Sequence, residues 1–282
     1  MKKIVSIFLL ICFCLRAGAQ QKPARLIVRG DDMGYTHSGN EALIKCYQDG
    51  IETSIEVLVP SPWFPEAVRL LKQNPGVDVG IHLDLTSEWE NIKWRPLSGC
   101  PSLKDSSGYF FPMIYPNKNY PGKSLTEQKW KIEDIEKEFR AQIELAQKNI
   151  SHISHFSFHM LCGNLSPEVK SLAKRLAKEY NIPVDPDLDL KGMVGYAGPH
   201  KTSAEKIQSF INMLDKLEAG KTYIFIDHPG IDNDELKAVW HIGYEDVAAD
   251  RQGVTDVYTN EKVKIKIKEK GIQLIGYRDL NN

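Results

Sequence analysis

The sequence lacks any long apolar segment beyond its first residues. Residues 4–15 are apolar except for Ser6, and no later stretch approaches the roughly 20 apolar residues that a membrane-spanning helix needs. Two lysines precede this short run and Ala17-Gly18-Ala19 follows it, which is the order of a secretory signal peptide. We therefore expect residues 1–19 to be a signal peptide. The remainder is expected to be exported, as a periplasmic or secreted protein that is not an integral membrane protein.

Cysteine pairs and excess basic charge are missing as well. After cleavage the chain would keep Cys46, Cys100 and Cys162, an odd set without CxxC spacing, which is not a disulfide framework even though export would permit one bridge. The 36 basic residues are balanced by 37 acidic ones, so the surface is not the basic one that nucleic acid attracts. We therefore assign the cysteines no chemistry and expect no nucleic-acid partner. A homodimer is one assembly that the sequence allows.

What the sequence does contain, from residue 24 onward, is an alternation of short apolar runs and longer helical patterns. This alternation is typical of βαβ units and a parallel sheet. About 260 residues with such a pattern fit one large α/β domain better than two small ones, so residues 20–282 are expected to form a single domain. The predicted strands are 26–29, 53–59, 77–85, 151–160, 182–184, 222–227 and 273–276. The predicted helices are 38–48, 65–73, 125–148, 166–180, 202–217 and 256–270.

Two signals conflict in the last of these helices. Val263, Ile265 and Ile267 alternate with lysines, as they would in a strand, whereas the βα rhythm requires a helix before Gly271. We favour the helix, and interpret residues 249–253 as part of a polar stretch that precedes it.

The segment 86–123 interrupts the alternation. It is rich in aromatic residues and proline and has no strong periodicity. A loop of this length inside a compact domain is usually functional or disordered, and its aromatic content argues against disorder. Its aromatic rings could stack on the apolar faces of sugar rings. Equally, they could form a small satellite core that holds the loop down.

Two adjacent carboxylates, Asp31 and Asp32, follow the first predicted strand. If the chain turns after Val28, both side chains can reach one pocket, where one could hold a metal while the other takes a proton from bound water. Alternatively, the pair forms a turn and caps the following helix, which is the commoner role of an isolated Asp-Asp-x-Gly.

Histidines stand at the ends of three other predicted strands, at positions 82, 159 and 228. The carboxyl ends of parallel strands are where active sites are built in barrels and open α/β sheets. Four residues of strand separate His155 from His159 by roughly 13 Å, which is too far for both to bind one ion. We therefore expect His159 to be the ligand and His155 to be a packing or hydrogen-bonding residue. His152 points to the opposite face.

At these positions the chain resembles the YdjC-like (ChbG/HpnK) carbohydrate deacetylases, relatives of the NodB polysaccharide deacetylases. The resemblance covers nearly the whole predicted mature chain, in the order of the family's motifs. It rests on Leu26-Ile27-Val28-Arg29-Gly30-Asp31-Asp32-Met33-Gly34, Asn40, Gly50-Ile51-Glu52-Thr53-Ser54, Val77-Asp78-Val79-Gly80-Ile81-His82-Leu83, Ser154-His155-Phe156-Ser157-Phe158-His159, His228-Pro229-Gly230 and Tyr277-Arg278-Asp279-Leu280.

The resemblance implies a single-domain, irregular (β/α) barrel of the TIM-like NodB type. It implies that Asp32, His82 and His159 hold one divalent metal ion, zinc or magnesium. Asp31 would then be the general base, and His228 the general acid or oxyanion partner. The substrate would be an N-acetylated sugar or oligosaccharide, which loses its acetyl group to a metal-activated water.

The chain also departs from the family pattern. Where relatives usually read Thr-His-x-Asp-Ser-His, this chain has serine at position 157 and phenylalanine at position 158. The arginine expected after the fifth strand appears as Asp185 or is absent. These differences keep two other functions open. One is a metal hydrolase for a different acyl group or a phosphoester, and the other is a carbohydrate-binding protein without turnover.

Overall fold

A computed structural model describes residues 22–182 and 192–280. The predicted signal peptide, Asp185 and most of the predicted strand 182–184 lie outside these residues. The strands are β1 (Arg25–Met33), β2 (Ser54–Val57), β3 (Asp78–Leu83), β4 (Ile153–Phe158), β5 (Met193–Val194), β6 (Thr222–Asp227) and β7 (Gln273–Leu274). The helices are α1 (His37–Asp49), α2 (Phe64–Gln73), α3 (Ile132–Asn149), α4 (Pro167–Glu179), α5 (Ser203–Asp215), α6 (Asp234–Lys237), α7 (Val247–Tyr258) and α8 (Glu261–Glu269).

The strands form one parallel sheet with β1 near its centre. The hydrogen-bonded order is β4-β3-β2-β1-β6-β5, and β7 pairs with the first residues of β1. Every pair in this sheet is parallel, which confirms the predicted α/β class. In the part of the chain that the structure describes, β4 and β5 are not paired with each other, so the sheet does not close into a full ring.

Strand β1 runs farther than predicted. It continues through both aspartates to Met33, with a shift of register against β2 between Gly30 and Met33. Asp32 adopts a left-handed backbone conformation, with φ of 72°, which is uncommon outside glycine and more accessible to aspartate than to most residues. Helix α1 is capped by Thr36, whose side chain accepts the Gly39 N–H. The alternative that the aspartates cap this helix is therefore wrong.

Helices α1, α2, α4 and α5 lie within one or two residues of their predicted bounds. Helix α3 begins only at Ile132, because Leu125–Glu127 forms a separate 3-10 turn capped by Ser124. Near the C-terminus, the polar stretch 249–253 is part of α7, and residues 259 and 260 separate α7 from α8. The prediction of one helix over 256–270 was therefore wrong in its start and in its continuity. The preference for helix over strand is confirmed by α8, in which Val263 and Ile267 are buried.

Three of the seven aromatic residues of segment 86–123 are buried in the main core. Trp89, Trp94 and Phe110 are at most 3% exposed and belong to the largest hydrophobic cluster of the described chain. The Trp94 indole N–H donates to Asp84 at 2.7 Å, and the backbone N–H groups of residues 97 and 98 donate to Glu138 of α3. Packing and buried hydrogen bonds therefore anchor the segment, as the alternative of a small core that holds the loop down predicts. This core is not a separate satellite, because it is continuous with the main core.

Candidate metal centre and active-site pocket

Three buried side chains from different strands converge at one edge of the sheet. Asp32 lies on β1, His82 on β3, and His159 directly follows β4; each is at most 4% exposed. One potential ligand atom from each lies within 4.8 Å of the other two. This spacing is close to that of atoms that coordinate one ion at about 2.1 Å. Among the described residues, no other group of three His, Cys, Asp or Glu side chains meets this condition.

Asp32 is surrounded by positive groups. Its Oδ2 accepts a hydrogen bond from Arg251 Nη2 at 2.9 Å. Its Oδ1 accepts no hydrogen bond of normal geometry, although His159 Nδ1 lies 3.2 Å away. Burial alone would raise the pKa of this carboxyl, but the charges of His228, His159 and Arg251 hold the pKa well below its usual value. An ionised carboxylate with a buried oxygen that accepts no hydrogen bond of normal geometry fits a metal ligand.

The pKa values of His82 and His159 are shifted in opposite directions by their surroundings. Burial and the neighbouring His159 lower the pKa of His82 well below its usual value. Burial opposes protonation of His159 too, but Glu88, whose Oε2 lies 3.2 Å from Nε2, and Asp32 raise its pKa well above the usual value. The two neighbouring carboxylates therefore favour the protonated form of His159. A bound metal would replace that proton, since metal ligands must be deprotonated.

Asp31 points to the same site but has a different partner. Arg29 donates to both of its oxygens, from Nε to Oδ1 at 2.7 Å and from Nη2 to Oδ2 at 2.9 Å. Its Oδ2 also lies 3.6 Å from His82 Nε2. Asp31 is thus fixed in a bidentate ion pair beside the three converging side chains, without being one of them.

His228 approaches from β6 on the other side of Asp32. Its Nε2 lies 3.8 Å from Asp32 Oδ2, and its Nδ1 lies 3.6 Å from Asp227 Oδ1. Its side chain is 37% exposed. Desolvation lowers the pKa of His228, but the Asp32 charge and the hydrogen bond to Asp227 outweigh it and raise the pKa. The ring is therefore able to carry a proton next to the site.

His155 lies away from the three converging side chains, as the spacing argument predicts. Its Nε2 contacts Glu56 Oε1 at 2.7 Å, and its ring stacks on Tyr277 with 3.6 Å between centroids. His152 precedes β4 and is partly exposed. The prediction that only one histidine of this strand could join a metal site agrees with this geometry.

A cavity of about 540 Å³ opens above the site. It contains both aspartates together with His82, His159 and His228. Trp89, Tyr244 and His241 form an aromatic part of its wall, and Met193 and Leu161 lie at an apolar part. This size is within the range of small-molecule sites, about 300–1,000 Å³.

Sequence reasoning missed four polar residues that shape the site: Arg29, Glu56, Glu88 and Arg251. Glu56 gave a signal, because a carboxylate inside an apolar parallel strand is rarely buried unless it is paired. Arg251 gave none, since it lay in a polar stretch to which no secondary structure was assigned. Its guanidinium lies over the rings of Tyr35 and Trp89 and is 4% exposed.

Comparisons with known proteins agree with this arrangement. The family model described as YdjC-like protein matches residues 25–269. A carbohydrate deacetylase of Clostridium beijerinckii is 31% identical over 265 residues, covering 91% of this chain and all of that protein. One of Geobacillus stearothermophilus is 27% identical over 275 residues, covering 91% and 98%.

A solved structure shares the fold. It is the crystal structure of an Enterococcus faecalis protein named for cellobiose-phosphate cleavage, with a TM-score of 0.73 and 24% identity over 92% of this chain and 99% of that one. The family model spans most of the chain, and the relatives match over nearly their whole lengths. The chain therefore belongs to the YdjC-like family, whose curated members include carbohydrate deacetylases.

Proposed function

We propose that this protein is a metal-dependent deacetylase that removes N-acetyl groups from amino sugars or short oligosaccharides. The observation that carries the proposal is the convergence of Asp32, His82 and His159 between two further ionisable groups, Asp31 and His228. Two imidazoles and one carboxylate suit zinc, and they leave coordination positions open for water and substrate. The names of the curated relatives support a sugar amide as substrate.

Each residue around the ligands has a part in the proposed reaction. A bound divalent ion would lower the pKa of a water molecule and polarise the acetamide carbonyl. Asp31 accepts the proton of the attacking water, and its ion pair with Arg29 fixes the direction of its oxygens. His228 donates a proton to the leaving amine, and Asp227 Oδ1 lies 3.6 Å from its other ring nitrogen, where its charge favours the protonated ring. The amide C–N bond breaks, and acetate and the free amino sugar leave.

The cavity limits the substrate we propose. A volume of about 540 Å³ suits one or a few sugar units better than the interior of a polymer chain. Aromatic rings in its wall offer apolar surface for the C–H faces of a sugar. We also propose that the chain forms an irregular (β/α) barrel and that residues 1–19 direct its export.

Acetate release from N-acetylglucosamine and chitooligosaccharides tests the proposal. The purified protein with added Zn²⁺ or Mg²⁺ is expected to release acetate. Asp31→Asn should lower kcat by about 10²–10⁴-fold, the usual contribution of a general base, and should keep its metal content because Asp31 is not in the ligand group.

Two outcomes would contradict the proposal. Absence of acetate release from a broad panel of acetylated sugars, with metal bound, would favour a binding protein without turnover. Release of phosphate from phosphoesters in place of acetate would favour the other hydrolase. The structure gives less support to the latter, because the described residues show no additional carboxylate cluster that could hold a second metal.

A further inference from the structure

We propose that Glu56 is the residue that fixes the orientation and tautomer of His82, acting through the hydroxyl of Ser157. Glu56 does not touch the converging ligand atoms, so it is a positioning residue and not a catalytic one. The inference rests on the proposed metal site. It assigns a role to Glu56, which lies on β2. Glu56 contacts Ser157, a position at which the chain departs from its family's motif.

A continuous chain of short hydrogen bonds joins Glu56 to His82. Ser157 Oγ donates to Glu56 Oε2 at 2.6 Å, and His82 Nδ1 lies 2.6 Å from the same Oγ. All three residues are at most 2% exposed. Glu56 lies on β2, His82 on β3 and Ser157 on β4, so the chain of bonds crosses three adjacent strands.

The tautomer of His82 follows from the direction in which the Ser157 hydroxyl donates its proton. A serine hydroxyl has one proton, and at 2.6 Å from a carboxylate oxygen that proton is donated to Glu56. Ser157 Oγ can then only accept from His82, so the ring proton lies on Nδ1. The Nε2 lone pair is left facing Asp32 Oδ1, which is 3.6 Å away. This is the tautomer that a metal ligand through Nε2 requires, and carboxylates fix it in many metal sites.

Glu56 accepts the Ser157 proton when its carboxyl is ionised, and two cationic or protonatable side chains lie beside it. Burial raises the pKa of Glu56, but His155 and Arg29 outweigh it and the net shift lowers the pKa. His155 Nε2 lies 2.7 Å from Oε1, and Arg29 Nε lies 4.0 Å from the same oxygen. A charged acceptor of this kind makes stronger hydrogen bonds than a neutral one.

Gly80 on the intervening strand makes the connection possible. It pairs with Glu56 on β2 and with His155 on β4. A Cβ atom at position 80 would collide with Glu56 Oε2 and would lie 2.6 Å from His155 Nε2. The Glu56 carboxylate therefore passes across β3 in the space that a side chain at position 80 would occupy. The resemblance predicts aspartate at position 157, where this chain has serine. The carboxylate that position 157 lacks is supplied by Glu56, two strands away, which accepts the hydrogen bond from the serine hydroxyl.

Metal affinity is the direct test, and it does not depend on turnover. Metal-free protein is titrated with Zn²⁺ against a chromophoric chelator, and ¹⁵N NMR of the His82 ring reports its tautomer. Glu56→Gln should weaken Zn²⁺ binding by about 10–100-fold, the usual cost of losing a hydrogen-bond partner of a ligand. The reason is that an amide can donate to Ser157 and so turn its proton toward Nδ1. The NMR signal should then show loss of the pure Nδ1–H form.

A matched control and a rescue variant separate positioning from folding. Glu138 is equally buried but serves the loop at residues 97 and 98, so Glu138→Gln should lower thermal stability while leaving Zn²⁺ affinity unchanged. Ser157→Asp in the Glu56→Gln background places a carboxylate directly at the His82 ring. It should recover most of the lost affinity and the Nδ1–H tautomer.

Each outcome decides the inference separately from the proposed function. If folded Glu56→Gln binds Zn²⁺ within about threefold of the parent and keeps the tautomer, the inference is wrong. If Glu56→Gln does not fold, Ser157→Ala, which removes only the linking hydroxyl, must show the same loss of affinity. A failure of the proposed function appears elsewhere, as metal-bound parent protein that releases no acetate.

Discussion

The two sides of the site differ in how closely the fold surrounds them. On the β1, β3 and β4 side, the three candidate ligands are at most 4% exposed and contact buried polar partners. On the β6 side, the strand is only partly buried at both ends, and the His228 side chain is 37% exposed. The difference matches the proposed roles. Ligands must keep their positions, whereas a residue that donates a proton must regain one from water.

The largest expected effect concerns the buried side. His82→Ala and His159→Ala should each abolish stoichiometric metal binding, with a larger loss of affinity than the 10–100-fold that a supporting residue costs. Metal content of the purified variants is the measurement. His200→Ala, which alters an exposed histidine, should keep full metal content. If both ligand variants also keep it, the metal site is placed wrongly.

Substitution of His228, on the exposed β6 side, should lower turnover without changing metal binding. His228→Gln is expected to lower kcat by about 10²–10⁴-fold, because it removes the proton donor, and to leave Zn²⁺ affinity near that of the parent. Steady-state kinetics and metal titration on the same preparation measure the two effects. Loss of metal together with loss of turnover would place His228 among the ligands and remove the contrast between the two sides.

The last expected effect is on the thermal stability of an Arg251 variant, and it should depend on metal. Arg251→Met keeps apolar contact with the neighbouring rings but leaves Asp32 without its guanidinium partner. Breaking a buried ion pair costs about 3–5 kcal/mol, so the metal-free variant should unfold at a lower temperature. Added Zn²⁺ should recover part of this loss, since a ligand of the native state stabilises it.

The control for this experiment is another arginine beside a buried aspartate. Arg278 Nε donates to Asp78 at 3.0 Å, away from the site. Arg278→Met should also lower the unfolding temperature, but the difference from the parent should be the same with and without Zn²⁺. Equal behaviour of the two variants would show that Arg251 does not serve the metal centre.

Much of this arrangement was predictable because it depends on local pattern. Apolar runs predict the strands, and the rise of about 3.3 Å per residue along a strand separates His155 from His159. The position of residues at strand ends then brings the two aspartates together with His82 and His159, since parallel strands end at one edge of the sheet. The choice of Asp32 as the ligand came from the family resemblance.

The remaining features depend on contacts between distant parts of the chain. The conformation of Asp32 follows from the irregular pairing of β1 with β2, which no local pattern encodes. Arg251 reaches Asp32 across 219 residues, and it lies before the predicted start of its helix, in what the sequence showed only as a polar stretch. Glu56 stood out as a charge in an apolar run, but its partners could be found only once the order of the strands was known.

The left-handed backbone at residue 32 restricts which residues evolution can place there. Glycine, asparagine and aspartate adopt this conformation more readily than other residues do, and of these only aspartate offers a charged ligand. Glutamate would supply the same chemical group, yet its longer side chain lacks the local hydrogen bonding that makes this backbone accessible. The irregular end of β1 thus favours aspartate over glutamate as the carboxylate at this position, before any requirement of catalysis applies.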